Sequence, residues 1–396
     1  MKNAATNAAR MKGSNKRLIL EIVRRKPISR VELSRITGLT RAAVTMLVDG
    51  LLSDGVLVET GTARSRHGRR PVLLDLNPSS LYAIGVSIAR DGCAAGIVDL
   101  KGSPIATRPV PLDSCAGADQ CLDRIAECLR ALIAASGVPA GKILGIGVGM
   151  PGPVDINTGT ALNPPNFAMW HNVRVVERLA ESFPFGAFLE NNSACLALAE
   201  KSFGLGAELG GFMLLVVDTG IGTGIVVNDR LYRGVGGLGS EVGHTTVDLN
   251  GPTCGCGNRG CLELYASIPS VIKAIRRHEA GIASWSGIVD GAMDGNTACM
   301  EAIRMEARYL AAGIVNAMNI LELEAVILSG DVSYKPELLL DRIREHVDRT
   351  AMTRTIHRLR VEASSIRESS GLISAASIVI QRFFDGEIEN TLGVGA

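Results

Sequence analysis

The densest chemistry in this 396-residue chain lies between Glu241 and Glu263. Glu241-Val-Gly-His244 is followed by Cys254-Gly-Cys256-Gly-Asn-Arg-Gly-Cys261-Leu-Glu263. Three thiols and one imidazole can fill a tetrahedral zinc shell. The intervening glycines let the chain turn tightly enough for the thiolates to converge. Four protein ligands, His244, Cys254, Cys256 and Cys261, leave no open position for a reactive water. The spacing therefore predicts one structural zinc per chain; the alternative is a set of unmetallated core cysteines. The other six cysteines, Cys121 and Cys128 among them, fall in apolar patterns and read as core. The odd total of nine argues against a secreted disulfide framework and for a reduced cytoplasm.

A second signal is electrostatic. Residues 1–75 hold 15 Lys+Arg against 6 Asp+Glu, a balance of +9, while the remainder holds 26 against 34, a balance of −8. A basic head on an acidic body suggests that the head meets a polyanion; the alternative is a solvated charged face. The head's pattern favours the first. A helix is expected over Asn15–Arg25, with Leu18, Ile19, Ile22 and Val23 on one stripe. Ser29-Arg-Val-Glu32 is a capping box opening a short second helix that ends at Gly38. Thr40 caps a third, in which Val44, Leu47, Val48, Leu51 and Leu52 form the buried stripe. Its opposite face offers Arg41, Ala42 and Thr45 beside Thr40. Two strand patterns follow, Val56–Glu59 and Val72–Leu76. The tip between them carries Arg64, Arg66, His67, Arg69 and Arg70. This is the pattern of a winged helix-turn-helix, with Thr40, Arg41 and Thr45 near base edges. The wing arginines Arg64, Arg66, Arg69 and Arg70 would lie on phosphates or in a narrow minor groove. A helical dimerisation module is the competing reading.

The elements that must carry these groups follow from length and pattern. Apolar residues make up 46% and charged residues 20% of the chain, which supports a sizeable core and excludes a largely disordered protein. No apolar run reaches the 18 or so residues of a membrane span, and no signal peptide is apparent. From Leu81 onward β and α signals alternate. Strands are expected at Tyr82–Ile88, Gly96–Gly102, Ile143–Met150 and Ala325–Gly330. Helices are expected at Gln120–Ala135, Glu301–Leu321 and Leu338–Arg349. Leu214–Arg230 echoes Ile84–Lys101, sharing a Gly-Ile-Val step at Gly96 and Gly224. This weak repeat implies two similar α/β lobes.

Taken together, the winged head, the paired lobes, E-x-G-H and C-x-C-G-x-x-G-C-x-E resemble the ROK family of repressors and sugar kinases over nearly the whole chain. The resemblance implies an actin-like, two-lobed α/β sugar-kinase fold behind the winged helix-turn-helix. Its divisions would be residues 1–78, a first lobe 79–200 and a second lobe 201–396 that carries the zinc loop. The C-terminal helix is a candidate to return to the first lobe. The resemblance further implies a sugar site in the cleft, with Asn191, Asn192, Glu241, His244 and Glu263 at the matching positions. His244 would bind zinc through one ring nitrogen and offer the other to a ligand oxygen. The alternative role for Glu241 and Glu263 is support of the zinc loop alone. Trp170 would wall the cleft or lie in the core.

The same resemblance exposes departures. The family's kinases use an aspartate in an E-N-D step as base; here the position is Asn192, whose amide cannot take a proton. Their D-x-G-G-T turn corresponds to Ser87-Ile-Ala-Arg-Asp91, with the first Asp, both glycines and the Thr gone. The second glycine turn, Asp218–Gly224, survives and reads as a hairpin kept for folding. The expectation is a cytoplasmic, non-enzymatic transcriptional regulator of carbohydrate genes, acting as a repressor. Its partners would be operator DNA and a sugar or sugar-derivative effector, and it would form a homodimer or dimer of dimers because paired heads read paired half-sites. The competing readings are an active sugar kinase with a fused head and a regulator controlled by protein sequestration.

Overall fold

A computed structural model describes residues 8–62, 70–90, 92–113, 115–165, 167–279, 281–356, 358–366 and 370–388. The chain divides into two compact units, Met1–Cys195 with Ser369–Ala396, and Leu196–Glu368.

The first unit begins with the helix Ala8–Val23. Its buried stripe is Ile19, Leu20 and Val23, and Leu18 points to solvent. That corrects the expected stripe: the helix packs on two sides, against Arg41–Ser53 and Ser370–Asp385, so Leu20 is buried in place of Leu18 and Ile22 is half-buried. Ser29 caps the helix Arg30–Thr37 by accepting from the Glu32 N–H, and Gly38 ends it in the left-handed region at φ 71°. Thr40 caps the helix Arg41–Ser53 through the Ala43 N–H, and Val44, Leu47, Val48 and Leu51 are buried. The two helices meet at 120°. The strands Leu57–Thr62 and Val72–Leu76 pair antiparallel. A two-residue strand, Ile28–Ser29, extends their ladder on the other side. This is a helix-turn-helix followed by a wing.

The body of this unit is a five-stranded sheet in the order Ala187–Asn191, Ile143–Met150, Tyr82–Ile88, Cys93–Asp99, Pro104–Pro109. The first three strands run parallel and the last two continue as antiparallel hairpins. Alternate residues face opposite sides of a strand. Ile84, Val86 and Ile88 join a core with Leu122, Ile125, Leu129 and Leu132 of the helix Ala118–Ser136. Gly85 faces the helix Ser370–Asp385 instead, and a Cβ there would lie 2.0 Å from the Leu372 carbonyl oxygen. The glycine lets helix backbone rest on strand backbone.

The second unit repeats the plan. Its sheet runs Arg360–Ala363, Ala325–Gly330, Phe212–Val217, Ile221–Val227, Arg230–Leu231, parallel for the first three and antiparallel after. Gly96 and Gly224 both lie on the second strand of the central hairpin, so the weak repeat in the sequence corresponds to a repeated topology. The helices Thr297–Leu321 and Glu337–Thr350 cover this sheet with Ile303, Leu310, Ile314 and Ile343 in one core. Among the described residues no single helix is long and apolar enough to cross a membrane.

Candidate functional site

The metal-ligating residues gather in the second unit. The short turn Val242–His244 brings the imidazole up to a loop held by its own backbone. Cys254 N–H donates to the Asn258 carbonyl at 2.7 Å, and Gly257 N–H to the Cys254 carbonyl at 3.0 Å. Gly257 and Gly260 stand at φ 93° and 62°, and a Cβ on Gly260 would lie 1.7 Å from the Asp248 carbonyl oxygen. Only glycine fits there. The Asn258 amide clips the loop to the His244 carbonyl at 3.0 Å.

The ligand atoms of His244, Cys254, Cys256 and Cys261 all lie within 4.8 Å of one another. Cys256 Sγ and Cys261 Sγ are 3.7 Å apart, too far for a disulfide. A tetrahedral ion with ordinary zinc–sulfur bonds sets its thiolates about 3.8 Å apart. Cys254 Sγ lies 3.7 Å from His244 Nδ1, which leaves Nε2 as the outward nitrogen. Burial pushes the Cys261 thiol up to about 12, whereas the backbone N–H of Asn258 lowers that of Cys256. The cluster can hold a metal ion, and its soft donor set suits zinc.

Two carboxylates flank it. Glu263 opens the helix Glu263–Ala266, and its Oε2 accepts the Ile221 N–H at 2.9 Å. A Cβ on Gly220 would come within 2.7 Å of that same oxygen. Glu263 therefore braces the surviving glycine turn against the metal loop. Glu241 reaches solvent, yet partial desolvation raises its carboxyl above the ordinary range; His244 opposes this and Glu263 reinforces it. Near the start of the same turn, burial raises the Asp331 carboxyl and Asp218 adds to the rise. Asp331 was not singled out in the sequence. Its only signal was a carboxylate directly after a buried strand.

Asn191 and Asn192 belong to the first unit, at the end of the strand Ala187–Asn191 and the start of the helix Asn192–Phe203. Asn191 Oδ1 accepts the Ser193 N–H at 2.8 Å and so caps that helix. The Asn192 amide donates to the Ile88 carbonyl at 3.4 Å. Arg90, two residues further on, donates to the Pro165 carbonyl at 3.0 Å. Trp170 is 1% exposed and stacks on Phe167 with ring centroids 5.8 Å apart, so it is a core residue.

In the head, Thr40, Arg41, Ala42 and Thr45 are exposed along one face of the helix Arg41–Ser53. The Thr40 hydroxyl is used by the helix itself, accepting the Ala43 N–H at 3.2 Å. Arg70 is exposed where the described wing resumes, and Arg64, Arg66 and Arg69 lie outside the described residues. Arg30, which the sequence had shown only as part of a capping box, pins this helix to the wing. It binds Asp49 at 3.1 Å and Glu59 at 2.9 Å.

Comparison with known proteins closes the matter of kinship. Residues 83–382 match the ROK family. A xylose repressor of Bacillus spizizenii is 31% identical over 374 residues, covering 94% of this chain and 96% of that protein. A glucokinase of Thermotoga maritima is also 31% identical but covers 76% of this chain and 98% of the enzyme. A solved ROK-family transcriptional regulator, described as a homologue of the E. coli Mlc protein, superposes with TM-score 0.80 at 24% identity, covering 95% of this chain and 97% of that one. The repressor match covers nearly the whole chain and the glucokinase match about three quarters of it. This chain belongs to the ROK family, and within it to the DNA-binding transcriptional regulators of sugar metabolism.

Proposed function

We propose that this regulator represses carbohydrate genes in response to a sugar and has no kinase activity. The observation that carries the reading is Asn192. The position where a phosphoryl-transfer enzyme needs a proton acceptor holds an amide, and that amide already donates to the Ile88 carbonyl. The first phosphate turn now carries the Arg90 side chain, tied to Pro165. Near the second turn stands a pair of carboxylates, Asp218 and Asp331, whose field opposes a triphosphate.

In this reading Thr40, Arg41 and Thr45 face the major groove, and Arg64, Arg66, Arg69 and Arg70 lie on the backbone or minor groove. Asn191, Asn192, Glu241, His244 and Glu263 bind the effector's hydroxyls, with His244 Nε2 as one donor. Zinc on His244, Cys254, Cys256 and Cys261 would hold that imidazole in place and supply no reaction. Residues 1–78 act as the DNA-binding domain, 79–200 as the first lobe with the helix Ser370–Asp385 returning to it, and the rest of 201–396 as the second lobe, in a cytoplasmic homodimer or dimer of dimers. D-xylose is the first effector to test, because the repressor relatives carry its name.

The experiment is an operator titration. DNA selected from a random pool is bound by the full chain, then challenged with D-xylose, N-acetylglucosamine and their phosphates. One of these lowers DNA affinity at least ten-fold, a coupling of about 1.4 kcal/mol. Sugar-dependent ATP turnover, or DNA affinity indifferent to every sugar, would overturn the reading.

A further inference from the structure

The helix Ser370–Asp385 touches both things that a regulator must connect. Near its start, a Cβ on Gly371 would lie 2.5 Å from Ser87 Oγ, in the degenerate turn. One turn further, Ala375 reaches Gly149. A Cβ on Gly149 would meet Asn192 Oδ1 at 3.0 Å, Cys195 Sγ at 3.1 Å and Ala375 Cβ at 3.6 Å. A second contact reaches the same place by another path. The Arg382 guanidinium lies 4.6 Å from the ring centroid of Phe188, on the strand that runs directly into Asn192.

The far end of the helix grips the head. Gln381 Oε1 accepts from both terminal nitrogens of Arg24, at 3.2 and 3.3 Å. The same guanidinium sits 4.7 Å from the ring centroid of Phe384, and its side chain is 8% exposed. Arg24 directly follows the helix Ala8–Val23. That helix holds the recognition helix, Arg41–Ser53, through Lys16 and the Asp54 that closes it, 3.0 Å apart. From Ala375 to Phe384 the rise is about 14 Å. The start of the helix is seated on the sheet, with Leu372 and Ala376 against Gly85 and Ala375 against Gly147, and cannot slide without the strands.

We infer that this helix carries the state of the Asn192 cluster to the DNA-binding head, and that Arg24 is the positioning residue through which it does so. The inference rests on the reading of Asn192 as an effector residue. A ligand that draws on Asn192 displaces its contact at Gly149, the helix follows as a body, and Arg24 passes the displacement to Ala8–Val23 and the recognition helix. Coupling of this kind is a free energy between two places and appears as non-additivity.

The test is a double-mutant cycle read by operator affinity, with no effector needed. Asn192→Ala, Arg24→Ala and the double variant are titrated, as full chains, against DNA selected from a random pool. Asn192→Ala shifts affinity at least three-fold in the native background and less than 1.5-fold in the Arg24→Ala background. Arg24→Lys, which keeps a cation over Phe384, restores most of the shift. Should Arg24→Ala fail to fold, Gln381→Ala, which removes the two hydrogen bonds to Arg24 and the exposed one from Gln381 Nε2 to Asp385 Oδ1, replaces it in the cycle. Equal shifts in both backgrounds, or no shift from Asn192→Ala, overturn the inference. A native chain that binds no DNA overturns the functional reading instead.

Discussion

Gly147 and Ala375 lie so close that a methyl group on Gly147 would sit 1.9 Å from the Ala375 carbonyl oxygen. Neither partner can yield cheaply, since one is a central strand and the other a helix backbone. Gly147→Ala is expected to destabilise the chain by about 1–3 kcal/mol, the ordinary cost of overpacking. Gly141→Ala is the control, because a methyl there meets no atom within 4 Å. Urea midpoints of the two variants decide it: similar midpoints would remove the helix from the sheet.

Elemental analysis should find one zinc per chain. Cys256→Ser is expected to lower that ratio well below one and to reduce the thermal midpoint, because a structural ion contributes directly to folding. Full stability and full metal content in this variant would exclude Cys256 as a ligand.

Phosphoryl transfer should be absent. A coupled assay with D-glucose, D-xylose or N-acetylglucosamine and ATP is expected to stay far below the range on the order of 1 per second seen in kinases. Asn192→Asp alone should not raise it, because Arg90 remains in the first turn and Asp331 beside the second. Measurable sugar-dependent turnover in that variant would show that only the base had been lost.

The two arginine sets of the head should fail differently. Arg41→Ala is expected to cost about 1–3 kcal/mol on operator DNA and to relax sequence preference. Arg70→Ala should weaken binding to operator and scrambled duplex alike and flatten the salt dependence by roughly one unit of slope. Affinities across a salt series separate these outcomes, and two variants with unchanged affinity would make the head a dimerisation module.

Glu306 gives a pH signature. Its carboxyl is wholly buried in the helix Thr297–Leu321, with neither oxygen hydrogen-bonded, and burial raises it well above the ordinary range. The folded chain keeps a proton that the unfolded chain releases. The stability from this group is therefore full below the ordinary glutamate value of about 4.3 and is lost as pH rises toward the folded value. Between pH 5 and pH 8 (the practical part of that window, roughly) the native chain should lose more stability than Glu306→Gln. Parallel pH profiles of the urea midpoint would rule this out.

Local pattern carried much of this structure. Ile143–Met150 and Ala325–Gly330 form strands with the bounds expected from their apolar runs. The His/Cys cluster was legible because its donors lie within eighteen residues of one another in a glycine-rich stretch. What stayed hidden depends on distant partners. The edge strand Pro104–Pro109 is mostly exposed, so it lacks the apolar signal that marks a buried strand. Leu18 and Leu20 are equivalent in composition, and only the packing of the whole first helix decides which is buried. Asp331 and Arg24 read as ordinary charged residues until the chain brings Asp218 to one and Phe384 to the other.

The return of Ser370–Asp385 to the first unit also governs the order in which this protein can be made. Synthesis runs from the N-terminus, and domains generally fold as they emerge. Here the sheet containing Gly85 and Gly147 leaves the ribosome with one face uncovered, and its cover follows only after the whole second unit, Leu196–Glu368. Any chain cut short before Ser370 presents glycine-lined strand backbone to solvent and leaves Arg24 without Gln381 and Phe384. A message truncated within the second unit therefore yields a head without this seat.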